Sequence, residues 1–160
     1  MSGGSEVQVV TFGLAAETFA IPVALVREIL DYREPFRIPN GPGFLLGLTD
    51  LRGEGVTTVD LRLRLGMTSA EPSLSTRILV VDVPLEGRVL TLGLVVDRVL
   101  DVSTVDRSQI GPAPDVGMHW ESDYIAGVAK RADGFVVFID MERIFSATDV
   151  DSLSSLATAA

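Results

Sequence analysis

The stretch "GLTDLRGEGVTTVDL", residues 47–61, decides how the rest of the chain is read. Its β-branched and aliphatic residues read as a buried pair of strands, yet Asp50, Arg52 and Glu54 fall inside that run. A second copy explains part of the pattern. Displaced by 80 residues, Gly47 meets Gly127, Val56 meets Val136, Val59 meets Ile139, Asp60 meets Asp140, Leu61 meets Met141 and Leu65 meets Phe145. Ala132 stands in that copy where Arg52 stands in the first, so the arginine is not a requirement of the fold.

Working outward, "VREILD" from Val26 matches "VDRVLD" from Val96 at a displacement of 70, and "IPNGP" from Ile38 has a counterpart in "IGPAP" from Ile110 at 72. Three matches in the same order predict two copies of a small barrel of about five strands. A copy of about 70 residues is near the size at which a lone core is marginal, so the two are expected to share apolar surface. The remaining runs, among them "VQVVTFGL", "ETFAIPV", "TRILVVDV", "VLTLGLVVDRVLDV" and "GFVVFIDM", are short, apolar and separated by Gly, Pro, Asp and Ser. That spacing predicts an all-β protein. Asp60 and Asp140 are expected to cap one or two helical turns over 61–65 and 141–145. Residues 67–75, "MTSAEPSLS", are the expected hinge between halves of a unit spanning 6–147. Residues 1–5 read as a loose tail, and 148–160 as a tail or a short helix carrying Val150, Leu153 and Leu156 at helical spacing.

The chain has 160 residues, 13 basic against 22 acidic, for a net charge of -9. That balance opposes docking on nucleic acid or anionic lipid. Two Tyr, one Trp and seven Phe, mostly in strand patterns, offer little of the stacking platform a nucleic-acid-binding barrel needs. There is no cysteine, which removes disulfides and thiolate metal sites. The start "MSGGSEVQVV" lacks the cationic and apolar regions of a secretory signal, and no apolar run approaches the roughly 20 residues of a membrane span. A cytoplasmic protein with no direct membrane insertion is expected.

Catalytic chemistry is hard to find. His119 is the only histidine and has no paired nucleophile motif, so it reads as a loop or surface imidazole. No carboxylate pattern of a metal site occurs, and no glycine-rich phosphate cradle. Asp60 and Asp140 as an acid–base couple are outweighed by their repeated place ahead of helical turns. An enzyme would need a deep pocket lined by perturbed acids. Binding is the stronger class, without catalytic residues, metal or cofactor.

The order "F.L....FAIPV..VREIL......RIPN.P.FL.GLTDLRG......DLR.R.G", then "GLVVDRVLDV", "QIGPAP" and "YIAGVAK...G.VVFIDMERIF", resembles the CheW family of chemotaxis coupling proteins over about Val7 to Ser146. The resemblance implies two intertwined five-stranded SH3-like β-barrel subdomains sharing a hydrophobic core, with a few short helices. It implies an adaptor, recruited to membrane-associated receptor arrays, that couples the cytoplasmic hairpin tip of a chemoreceptor to the regulatory domain of the histidine kinase CheA. A scaffold of another chemosensory pathway, serving surface motility or a different output, is the alternative. Carried over by position, the receptor-binding groove takes Val26, Glu28, Gly47, Arg52, Gly93 and Val99. Glycines on its wall would admit a helix backbone, and the valines would give contact area. Arg52, on an inward-leaning strand position, is expected to pair with Glu28, with Asp50 completing a network of three. Asp50 stands where the family usually has Asn, and "EGVTT" at 54–58 replaces an apolar, proline-containing stretch. Glu54 is expected either to shape partner preference or to tip into solvent at a bulge.

Overall fold

A computed structural model describes residues 5–39, 41–85, 87–112, 124–131 and 134–145. The first copy supplies β1 (Glu6–Leu14), β2 (Glu17–Pro22), β3 (Val26–Asp31), β4 (Phe36–Arg37), β5 (Leu45–Leu51), β6 (Glu54–Asp60) and the single-turn helix α1 (Leu61–Arg64). The second supplies β7 (Arg77–Leu85), β8 (Arg88–Val96), β9 (Arg98–Asp106), β10 (Ile110–Gly111), β11 (Ile125–Arg131) and β12 (Gly134–Ile139). The two sets correspond strand for strand.

Each sheet mixes the copies. One runs β10-β11-β12-β2-β1-β9, the other β3-β7-β8-β6-β5-β4. The opening hairpin of either copy therefore lies in the sheet built by the rest of the other. The joints are the two parallel pairings, β12 with β2 (Val137 opposite Phe19) and β6 with β8 (Val59 opposite Leu94). Parallel neighbours cannot be joined by a tight turn, so strands far apart in the chain fill these places. Each sheet curls on itself because its two edges are consecutive in the chain. β9 continues through a 3-10 turn at Arg107–Gln109 into β10, and β3 leads into β4 within five residues. These are the expected intertwined barrels. Each has five strands of six residues or more, and a two-residue strand at one edge.

Strand alternation sorts the core into three parts. Val9, Ala20, Ala129, Val136 and Phe138 fill the first barrel, and Leu51, Val56, Ile78 and Val80 fill the second. The opposite faces of the same strands, with Phe12, Phe19, Ile21, Val59, Leu79, Val81, Leu92, Leu94, Val137 and Ile139, build the largest cluster, shared between barrels.

Residues 67–75 divide the two sequence copies but not the two barrels. They join α1 to β7, both on the second sheet, whereas the chain crosses between barrels at the 3-10 turn Val23–Leu25 and at Asp97. The expected helix over 141–145 is a hydrogen-bonded turn, with Arg143 N–H donating to Asp140 O at 3.1 Å. His119 and the tails at 1–4 and 146–160 lie outside the described residues.

Candidate functional site

β5 and β6 pair as far as Leu51 opposite Glu54, leaving Arg52 and Gly53 as a two-residue connection. Their φ angles of 52 and 87 both lie in the left-handed region, as a type I′ hairpin requires. Asp50 closes the turn by accepting the Gly53 N–H on Oδ1 at 3.0 Å. Arg52 therefore projects from an exposed hairpin tip and not from an inward-leaning strand position. From there it crosses to β3, donating from Nη1 to Glu28 Oε2 at 3.0 Å and from Nη2 to Oε1 at 2.7 Å. The fork is bidentate, with 73% of the arginine side chain exposed against 26% of the glutamate. The expected network of three resolves into this pair and a separate turn lock, because the Asp50 carboxylate is spent on the backbone. Arg33 adds a second tie, donating to the Asp50 carbonyl at 2.9 Å. Glu54 is exposed without a bulge at its position; the irregularity in this ladder lies between Leu45 and Gly47.

The other expected site residues are arranged by register. Glu28 lies opposite Val80, Val80 opposite Gly93, Gly93 opposite Thr58, and Thr58 opposite Gly47, so one row crosses the second barrel from β3 to β5. The glycines in that row serve the barrel's own packing. A Cβ on Gly93 would meet Ile78 Cγ2 at 3.0 Å and Thr58 Oγ1 at 3.1 Å, and one on Gly47, at φ 147, would run into the carbonyl oxygen of Phe36. Neither glycine is a free groove wall. Val26 pairs with Val81 on the second barrel and Val99 with Phe12 on the first, and both are half-buried against the shared core. The structure thus brings Glu28 and Arg52 into contact, aligns Gly47 and Gly93 with them, and sets Val99 on the other barrel.

A second ion pair has no counterpart in the sequence reading. Arg62 on α1 donates from Nε to Asp97 Oδ1 at 2.9 Å and from Nη2 to Oδ2, while the Ala15 N–H reaches Oδ2 at 2.7 Å. The Arg62 hydrogen bonds hold the Asp97 carboxyl below the usual carboxylate range, outweighing its partial burial, and the same bond raises Arg62. The two residues are far apart in the sequence, and no spacing pattern links them. Asp60 accepts the Leu63 N–H at 3.4 Å and the Ser69 hydroxyl at 2.9 Å, the first of these capping α1. Asp140 accepts the Glu142 N–H at 3.0 Å within its turn. The copies also repeat a backbone bond, Asp60 N–H to Phe44 O and Asp140 N–H to Tyr124 O, each at 2.8 Å.

Among the described residues no group of three His, Cys, Asp or Glu is placed to hold a metal ion. No helix among them is long and apolar enough to cross a membrane.

A family model described as the CheW-like domain matches residues 8–149. "Chemotaxis protein CheW" of Rhizobium meliloti strain 1021 is 32% identical over 144 residues, covering 90% of this chain and 89% of that one. The protein of the same name from Klebsiella aerogenes is 30% identical over 146 residues, covering 91% and 86%. Among solved structures, the scaffolding protein TtCheW from Thermoanaerobacter tengcongensis superposes with a TM-score of 0.76 at 29% identity, covering 89% of this chain and 94% of that one.

Proposed function

The chain belongs to the CheW-like domain family, and from that premise we propose that it is a non-enzymatic chemotaxis adaptor coupling chemoreceptor tips to the kinase CheA. The observation that carries the reading is the match of sequence and fold across about nine-tenths of the chain to proteins named for chemotaxis and scaffolding. The geometry is compatible with it. Two barrels in one body offer two ends and a seam, so one molecule has room for more than one partner. The Glu28–Arg52 fork holds the β5–β6 hairpin against β3, which gives a receptor helix a fixed edge to dock on. In this reading Val26, Glu28, Arg52 and Val99 face the receptor, while Gly47 and Gly93 keep that barrel's strands close enough to present them. The protein acts in the cytoplasm, at receptor arrays.

Calorimetric titration of the purified chain with the CheA regulatory domain and with receptor cytoplasmic fragments from the same cell tests this. Binding of both at about micromolar strength, unchanged by removing ATP and divalent metal, is expected. No heat and no co-sedimentation with any CheA or receptor of that cell would reject the proposal.

A further inference from the structure

We propose that Arg64 is an anchor for a carboxylate carried on the receptor's helical hairpin, an inference that rests on the adaptor reading and adds a residue to it. Arg64 ends α1, and its guanidinium carbon lies 6.0 Å from the centre of the Phe44 ring, 5.5 Å from that of Tyr124 and 5.8 Å from that of Phe145. Phe44 and Tyr124 are equivalent residues of the two copies, so the arginine stands on the seam between barrels. Its own equivalent is Ile144, fully buried in the shared core. An apolar side chain thus serves at the matching position, and packing alone does not call for a charge.

The guanidinium is held but not neutralised. Nε is buried without a hydrogen-bond partner, and the residue as a whole is half-buried. Among the described residues no carboxylate pairs with it, although Arg27, Arg52, Arg62, Arg77 and Arg143 all have one. The aromatic faces attract the cation, yet supply no carboxylate or carbonyl acceptor for its N–H groups. A guanidinium held among three rings has less rotamer freedom left to lose when it binds a carboxylate. The surroundings suit a helix. Leu63 is exposed beside it, and Leu65 and Met67 are half-buried against the shared core, so an acidic residue flanked by apolar residues at helical spacing would meet both kinds of surface.

The test uses the full-length chain with Arg64→Met and Arg64→Lys, measuring thermal unfolding and affinity for a receptor cytoplasmic fragment and, separately, for the CheA regulatory domain. Arg64→Met is expected to keep or raise the melting temperature, since an apolar group is accepted at the matching Ile144. Its receptor affinity should fall at least tenfold, and that of Arg64→Lys should fall too, because an ammonium cannot form the fork; kinase affinity should change less than twofold. In the wild type, the Arg64 Nε–H resonance should shift on saturation with receptor fragment. Unchanged receptor affinity in both variants overturns the proposal, as does a loss confined to the kinase. A lowered melting temperature with normal binding would make Arg64 a brace between barrels and also overturn it. The double variant Asp149→Asn/Asp151→Asn should bind receptor as the wild type does; a tenfold gain would assign Arg64 to the chain's own carboxylates instead. A wild-type chain that binds no receptor fragment rejects the adaptor reading itself, and this proposal with it.

Discussion

Arg52 owes its reach to a backbone conformation that few side chains adopt, with the left-handed φ of 52 at a hairpin tip. That placement decides what its removal should do. An exposed pair of this kind contributes about 0.2 to 1 kcal/mol, so Arg52→Ala should leave the unfolding midpoint nearly unchanged while weakening receptor binding. Unfolding of the variant, or normal coupling, would contradict the role. Exchanging the charges in Glu28→Arg/Arg52→Glu should recover part of the binding loss, and additive effects in the double-mutant cycle would dismiss the pairing. The glycines of the same row behave differently. Gly47→Ala meets both a left-handed φ and a fixed carbonyl, whereas Gly93→Ala meets two side chains at van der Waals limits. Urea unfolding should show Gly93→Ala destabilised by about 1 to 3 kcal/mol and Gly47→Ala by more. Equal losses would mean that β4 yields. The Glu28–Arg52 pairing is legible through the family resemblance, which sets both residues in one groove, where an arginine calls for a carboxylate partner. The position of Arg52 is not, because a two-residue Arg-Gly turn between apolar alternating runs leaves the same pattern as continuous strand.

At the scale of elements, Asp97 ties five of them together: it marks the crossing from β8 to β9, and its carboxylate holds Arg62 of α1 and the Ala15 N–H between β1 and β2. Its folded-state pKa lies below the ordinary value, chiefly through the Arg62 hydrogen bond. A group so shifted adds stability that is fully present above the unfolded carboxylate pKa and is lost as pH falls through the folded one. Urea midpoints measured from about pH 5 downward should therefore fall less steeply in Asp97→Asn than in the wild type. Parallel curves would show that the junction holds without the charge. Such joints escape a sequence reading for a physical reason. The displacement of 80 residues matches β5 and β6 to β11 and β12 in register, Gly47 with Gly127 and Val59 with Ile139. Those of 70 and 72 miss the register, since Phe36 of β4 and Gly111 of β10 take equivalent places 75 residues apart. Which hairpin inserts into which sheet depends on edge pairing, and the alternation of a strand carries no label for its partner. The 67–75 loop bounds the copies and not the barrels, because composition marks where copies end, not where the chain changes barrels.

For the whole molecule, exchange of hairpins means that neither sequence copy holds a complete barrel. Pulling the barrels apart would expose the shared cluster and break both crossings, at Val23–Leu25 and at Asp97. Burial of a large aliphatic side chain contributes about 1.5 to 3 kcal/mol, so the shared cluster outweighs the small interiors of either barrel. The two barrels should then unfold as one unit, although each resembles a domain in outline. Two substitutions separate the possibilities. Val9→Ala opens space only in the first interior and Val80→Ala only in the second, each at a cost of about 1 to 3 kcal/mol. If unfolding is cooperative, either variant should lower hydrogen-exchange protection by the same amount at the slowest amides of both barrels, Phe19 and Val137 on one side and Leu79 and Leu94 on the other. Loss confined to the barrel carrying the substitution would mean that the shared cluster is an interface between independent units. The adaptor would then be two modules hinged at their crossings, and a partner on one barrel would have no rigid path to the other.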